Sequence, residues 1–359
     1  MKGFNVTQWI VLVILSLLTA LEPLSIDLYL PGFIQIAGAF NTTAASVQIS
    51  LSTFLGGFAI GQLLWGPLAD RFGRTKPILL SLVIFTVASV TCIYVNTIEQ
   101  LWVVRFIQAI GGCGGIVISR AVVTDYYDKS KTLKIFALLS LIMGIAPIIA
   151  PTLGNGVLKF FGWEGLFQAM AVLGIFLFLL ALILLPETHK ERAGKPDKNV
   201  FAGYMEILKV RKFTVYSILA GIVNGALMIY VANGPFIIME KGGFSSNMFS
   251  IIFGINAFGL MMGSLLTSVL QKYIPTSKLV KQALIFMFGA SIILFGAIYM
   301  NANIVAILFI LFFYVFPLGV LLPATTELAI TPFVNNSGMA SALFCSIQLA
   351  VAFVCSILS

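Results

Sequence analysis

Gly66-Pro67-Leu68-Ala69-Asp70-Arg71-Phe72-Gly73-Arg74-Thr75-Lys76 is a charged stretch between two long apolar runs. Asp70, Arg71, Arg74 and Lys76 stand together in a chain only 9% of whose residues are charged. Four charges so close cannot lie in hydrocarbon, so the stretch must face water. It reads as a tight hairpin joining two membrane helices. Gly66 with Pro67 is expected to stop the incoming helix, and Gly73 supplies a backbone angle that residues with a Cβ avoid. The bases are expected to hold the loop on the cytoplasmic side.

Hydrophobic residues make up 60% of the 359, and the mean hydropathy is +1.06. A soluble domain does not approach these values, so the chain is read as an integral membrane protein, all-α. Cys92, Cys113, Cys345 and Cys355 each lie singly in apolar runs and read as small packing residues. The apolar run after Lys2 continues past Glu22 into Asp27 and Pro31, which looks like a functional helix end and not a cleavage site.

Runs of about 20 residues, the span of a bilayer core, recur near 8–30, 45–66, 77–95, 99–121, 134–156, 164–186, 214–238, 246–270, 279–299, 303–325 and 338–359. With the N-terminus cytoplasmic, 18 of the 21 Lys and Arg fall on inner segments. Lys159 and Lys241 fall outside, and Arg105 lies within a helix. The net charge of +8 therefore reads as orientation and contact with anionic lipid, not as nucleic-acid binding. The polar stretch 189–213 divides a six-helix bundle, 1–188, from a second bundle, 214–359. It reads as a cytoplasmic linker with an amphipathic segment around Phe201–Val210 on the inner surface, and His189 within it reads as a solvated loop residue. Gly61-Gln-Leu-Leu returns 202 residues later as Gly263-Ser-Leu-Leu, while Lys272 stands in the place of Asp70. Two related halves are the usual build of secondary transporters.

The hairpin resembles the G-x-x-x-D-R-x-G-R-[RK]-[RK] signature of the major facilitator superfamily, with Thr75 at a position where a base is usual. The resemblance implies two pseudo-symmetric helical bundles with twelve helices, of which eleven are read here. The chain ends at Ser359 with the eleventh run barely complete, which reads as a chain shortened at its C-terminal end. The resemblance also implies a conformational latch. Its residues are Gly66, Asp70, Arg71, Gly73, Arg74 and Lys76, joined by Arg120 or Asp125, and it closes on the helix start at Asn335-Asn336-Ser337-Gly338. A loop that serves orientation alone is the plainer alternative.

Asp27 lies within the first apolar run, where an ionised carboxylate costs several kcal/mol, so it can exist protonated near neutral pH. An aspartate merely capping a helix end before Pro31 is the alternative. Leu24-Ser-Ile-Asp27-Leu-Tyr29-Leu-Pro31 resembles the D-x-Y-L-P pattern of Bcr/CflA-type drug:proton antiporters. Glu22 projects about 140° round the helix from Asp27 and ranks as a helper. Arg105, Gln108 and Gly112 share one face of the fourth helix, and Arg105 must find an acid or a cavity. Arg105-Phe-Ile-Gln108-Ala109 resembles the family's R-x-x-Q-G motif, which implies a part in proton transfer; a structural partnership with an acid such as Asp27 stays open. Gly144, Pro147, Pro151, Gly154 and Gly156 resemble the antiporter motif of the fifth helix, with Ala150 and Asn155 departing from it, or mark a plain kinked helix. Substrate is expected against Tyr29, Gln108, Asn224, Tyr230, Asn233 and Tyr314.

Gly111, Gly112, Gly114 and Gly115 follow no strand and precede no Lys-Ser/Thr, so they read as helix packing and not as a phosphate loop. No cluster has metal-ligand spacing, and no serine has a histidine partner, so neither a metal site nor an enzyme is expected. The expectation is a monomeric, cofactor-free, proton-driven exporter of drugs or other small hydrophobic compounds in a bacterial cytoplasmic (inner) membrane, contributing to antibiotic resistance. Its partners would be substrate, protons and lipid. A solute or metabolite transporter of the same fold, or a non-transporting scaffold, is the alternative.

Overall fold

The computed structural model describes residues 5–188, 200–300, 302–333 and 337–358, and these residues are helical with no strand. The first unit, Met1–Asn199, holds α1 (Val6–Asp27), a 3-10 turn (Leu30–Gly32), α2 (Phe33–Ala39), α3 (Ala44–Phe72), α4 (Thr75–Thr91), α5 (Ile98–Tyr126) and α6 (Lys129–Leu184). The second, Val200–Ser359, holds α7 (Val200–Leu208), α8 (Arg211–Pro235), a π-helical turn (Phe236–Lys241), α9 (Ser246–Leu270), α10 (Thr276–Tyr299), α11 (Ile304–Ile330) and α12 (Ser337–Ile357).

Several helices begin at a polar side chain that caps the first turn, in water's place. Asn5 accepts from the Gln8 amide at 2.7 Å and Gln8 returns the bond, Thr97 caps α5, and Ser245 caps α9. Nine described helical spans are long and apolar enough to cross a membrane. One of them contains two of the expected runs, because α6 breaks at Gly162 (φ 68°, ψ −170°), a backbone shape that L side chains rarely adopt. With the shorter apolar helix Thr75–Thr91, the eleven expected segments are accounted for.

One sequence expectation needs correction. Gly66 and Pro67 do not stop the incoming helix: α3 runs through both to Phe72 and ends at Gly73, whose φ of 86° breaks the ladder. A proline removes one hydrogen bond, and a long membrane helix with packed neighbours absorbs that loss. Residues 200–208, within the stretch read as an amphipathic segment, form α7, which buries Ile207 in the second unit and leaves Met205 and Glu206 exposed. There Ile207 joins Phe213, Ala220, Ala329, Ala340 and Phe344 in one buried cluster. His189, Lys190, Arg192, Lys195 and Lys198 lie outside the described residues.

The sequence echo at Gly61 and Gly263 marks a repeated helix crossing. In the first unit α3 lies on α5: a Cβ on Gly57 would stand 2.2 Å from the Phe106 carbonyl oxygen, and one on Gly61 would stand 2.8 Å from the Cys113 Cβ. In the second unit α9 lies on α11, where Gly259 meets the Phe312 ring and Gly263 meets the Phe316 carbonyl and Gly319. Each glycine pair is offset by 202 residues, and Phe106 and Phe312 and likewise Cys113 and Gly319 are offset by 206. Small residues let the backbones touch, and packing of this kind holds membrane helices together where apolar burial cannot. Trp65 and Trp102 add indole hydrogen bonds to the Ile110 and Ser46 carbonyls, both at 2.7 Å, which fix α3 against α5.

Candidate functional site

Arg105 sits at the centre of the first unit with no exposed surface. Its Nη1 donates to Gln108 Oε1 at 2.6 Å, and its Nη2 donates to the Ser25 carbonyl at 3.1 Å. Ser25 lies in the last turn of α1, where carbonyls lack a partner along the helix, so this acceptor is free for a side chain from α5. The guanidinium lies 4.6 Å from the Tyr29 ring centroid, 4.4 Å from that of Phe54 and 5.9 Å from that of Phe167. Three ring faces stabilise a cation electrostatically without a carboxylate. Gln108 is oriented in turn by Ser89 Oγ at 2.7 Å, and Tyr29 by Ser50 at 2.9 Å. The box thus gathers residues from the end of α1, α3, α4, α5 and α6.

Asp27, the last residue of α1, is 5% exposed. Among the described residues no ion pair joins it to Arg105, which reaches α1 through a main-chain oxygen two residues earlier. Glu22, five residues before Asp27 on α1, is half-buried. Pro147 and Pro151 lie within the first part of α6 without breaking it. Gly154 touches the α1 terminus, since a Cβ there would lie 2.2 Å from the Leu28 carbonyl, whereas Gly156 has nothing within 4 Å. An apolar recess of about 190 Å³, lined by Ala20, Leu24, Ile142, Ile145, Ala146 and Ile149, lies between α1 and α6.

The charged turn forms a second cluster. Arg74 donates through Nη1 to Asp70 at 2.6 Å and through Nε to Asp125, at the end of α5, at 2.8 Å. Burial lowers the proton affinity of this guanidinium, but the hydrogen bonds and charges of the two carboxylates more than offset that and raise its pKa. Arg71 lies over the Phe72 ring at 5.2 Å, and Arg71 and Lys76 are exposed.

The description "Major Facilitator Superfamily" fits residues 15–355 as a family model. The chain belongs to the major facilitator superfamily. A Bacillus subtilis protein named uncharacterized MFS-type transporter YdgK is 32% identical over 96% of this chain and 86% of its own length. The bicyclomycin resistance protein homolog of Haemophilus influenzae is 26% identical over 97% of this chain and 88% of its own. The multidrug resistance protein MdtL of Salmonella typhi is 30% identical over 77% of this chain and 70% of its own. These relatives agree with the Bcr/CflA resemblance, and the chain is a multi-pass membrane transporter, not an enzyme. Among solved structures, a bacterial homolog of the human lysosomal transporter Spinster matches with a TM-score of 0.78 and 18% identity, over 99% of this chain and 82% of that one. A D-xylose-proton symporter matches with 0.77 and 15%, over 97% and 89%. At these identities the structures show the major facilitator fold alone.

Within this superfamily fold the residues expected from sequence are distributed unevenly. Asp70, Arg74 and Asp125 come together, with Gly73 as the helix terminator, while Gly66 has open space around it. Arg120 lies at an exposed position of α5. Asn335 and Asn336 lie outside the described residues, and α12 begins at Ser337. Tyr29 and Gln108, expected to meet substrate, are fully buried parts of the Arg105 box. In the second unit Asn224 is buried, Tyr230 stacks on Phe253 at 5.7 Å, and Asn233 donates to its own helix at the Ile229 carbonyl. Tyr314 donates to the Ala226 carbonyl at 3.3 Å.

Sequence reasoning missed three features. Phe54 and Phe167 complete the arginine box, but they were hidden among 31 phenylalanines. Glu187, just beyond the last turn of α6, accepts from the Arg74 and Thr75 amides at 2.9 and 3.1 Å. Glu327, near the end of α11, accepts from Gln271 and Thr276 at the turn between α9 and α10.

Proposed function

We propose that this transporter exports drugs or other small hydrophobic compounds, cationic or neutral, in exchange for protons across a bacterial cytoplasmic membrane, with its N-terminus inside. It works as a monomer by alternating access, opening its site to one side of the membrane at a time, and draws on the proton gradient without a cofactor. Asp27 takes up the proton, Glu22 assists it, and Arg105 senses the change through the end of α1. The cluster of Asp70, Arg74 and Asp125 acts as the latch of the inner side. The reading rests on one observation above the others: a carboxyl group 5% exposed at the end of a membrane helix, next to the Arg105 contact at Ser25, with no cation bonded to it among the described residues. Removal from water favours the neutral form of such a group, so proton occupancy and local structure are linked there. The apolar recess beside Leu24 is suited to the hydrocarbon part of a substrate. The names of the relatives support the substrate class.

The test is a resistance profile of cells expressing wild type beside Asp27→Asn, together with proton release when compound is added to the purified protein. Wild type should confer resistance and release protons, and Asp27→Asn should do neither at equal expression. Resistance and proton release undiminished in Asp27→Asn would remove Asp27 from the mechanism.

A further inference from the structure

We propose that Glu187 is a positioning residue which pins the exit of the first bundle to the signature turn, so that the two move as one during transport. Its carboxylate takes both of the first free amides of α4, Oε1 from Arg74 and Oε2 from Thr75. Free amides at a helix start carry partial positive charge, and a carboxylate is their strongest side-chain partner. The cap is not local: its donor and acceptor residues are separated by 113 and 112 positions. Gly73 is shaped by the same contact. Its φ of 86° already favours glycine, and a Cβ there would stand 2.6 Å from the Glu187 carboxylate. The adjoining hydroxyls of Thr75 and Thr188 are buried and make no hydrogen bond among the described residues, so neither of them shares in the capping of these amides.

The position of Glu187 in the chain gives this contact its consequence. It follows Pro186 directly after α6, and the polypeptide continues from there to the second unit, which begins at Val200. Arg74, whose amide Glu187 holds, is also the residue whose side chain clasps Asp70 and Asp125. Displacement of the chain after α6 therefore pulls directly on the residue at the centre of the clasp. A cap that merely started α4 could come from a local side chain at position 74, as Asn5 and Thr97 do for α1 and α5. Arg74 makes no such side-chain cap bond.

The inference rests on the transporter reading but not on proton coupling, and the experiment separates the two. Hydrogen exchange is measured on full-length protein in nanodiscs for wild type, Glu187→Ala, Glu187→Gln and Asp125→Asn. In Glu187→Ala the Arg74 and Thr75 amides should exchange about tenfold faster or more, as expected for a lost charge-assisted bond. Glu187→Gln, which keeps one acceptor, should restore part of the protection, and Asp125→Asn should leave these two amides unchanged. Maleimide labelling of Thr75→Cys in everted vesicles then reads the cycle. Its rate should differ between energised and de-energised vesicles, and Glu187→Ala should erase that difference while size-exclusion profiles stay monodisperse. Unchanged exchange in Glu187→Ala, or an energisation difference that persists in it, would overturn the pin. Labelling indifferent to the gradient in the Thr75→Cys protein itself, with the exchange result as expected, would count against proton coupling and uphold the pin.

Discussion

Arg74 meets Asp125 at 2.8 Å through Nε while the same guanidinium holds Asp70 at 2.6 Å, so one side chain ties the end of α5 to the end of α3. The two contacts are unequal, because Asp70's side chain is 71% exposed and Asp125's is 22%. Exposed pairs contribute little, and less exposed ones contribute more. Asp125→Asn should therefore lower thermal stability by about 1.5–3 kcal/mol, and Asp70→Asn by less than about 1 kcal/mol. Thermal unfolding followed by fluorescence-detected size exclusion measures both. The raised pKa of Arg74 means its stabilisation is fully present below the unfolded-state value and is lost only as pH rises through the raised one. From about pH 5 to pH 9 its side of the clasp should be flat with pH.

Arg105 makes the opposite prediction, since its charge is fully buried and no carboxylate is bonded to it among the described residues. Its Nε also makes no hydrogen bond there. Replacing a buried charge by an apolar side chain of similar volume is often neutral or stabilising. Arg105→Met should therefore abolish transport without lowering the unfolding temperature. Arg105→Lys keeps the charge but loses the planar fork that reaches Gln108 and Ser25 together, and it should lower both. Equal stability losses in the two variants would show that the box is mainly a packing device.

These contrasts follow the division between what the sequence could and could not convey. Helix number and the paired halves were legible because bilayer thickness fixes run length and because Gly61-Gln-Leu-Leu returns 202 residues later as Gly263-Ser-Leu-Leu. Asp27 and Arg105 stood out because charges in apolar runs are rare. Their mutual geometry was not legible: Arg105 bonds a main-chain oxygen, and no side-chain pattern encodes that. Tyr29 and Gln108 looked like cavity residues because polarity within a helix does not distinguish facing substrate from facing a buried arginine. Glu187 gave no signal either, as a carboxylate just past an apolar run resembles any residue at a membrane boundary.

The helix crossings yield a stability series. Gly57→Ala would force a Cβ to 2.2 Å from the Phe106 carbonyl, and Gly319→Ala would force one to 2.0 Å from that of Leu260. In both cases the obstacle is backbone and cannot rotate away. Each should cost about 1–3 kcal/mol or more by overpacking. Gly66→Ala, inside α3 with nothing within 4 Å, should instead stabilise by about 0.5–1 kcal/mol. Thermal unfolding of the three variants checks the order, and a Gly66→Ala protein less stable than wild type would place an unseen contact at that position.

Glu327 occupies in the second unit a role like that of Asp125 in the first, though with no ion pair among the described residues. It accepts from Gln271, the residue just beyond α9, and from Thr276, the first residue of α10, at 3.3 Å. The turn thus keeps its tie to α11 even though Lys272 stands where the first unit has Asp70 and Thr276 stands 202 residues after Arg74. Because Glu327 is exposed, Glu327→Ala should cost only about 1 kcal/mol. Hydrogen exchange in residues 271–278 should rise, while that of residues 73–76 stays as in wild type. Gln271→Arg offers the glutamate a cation and should add roughly 0.2–1 kcal/mol, lost again in high salt. A stabilisation that survives high salt would mean that the new arginine packs against the apolar helix ends and does not pair with Glu327.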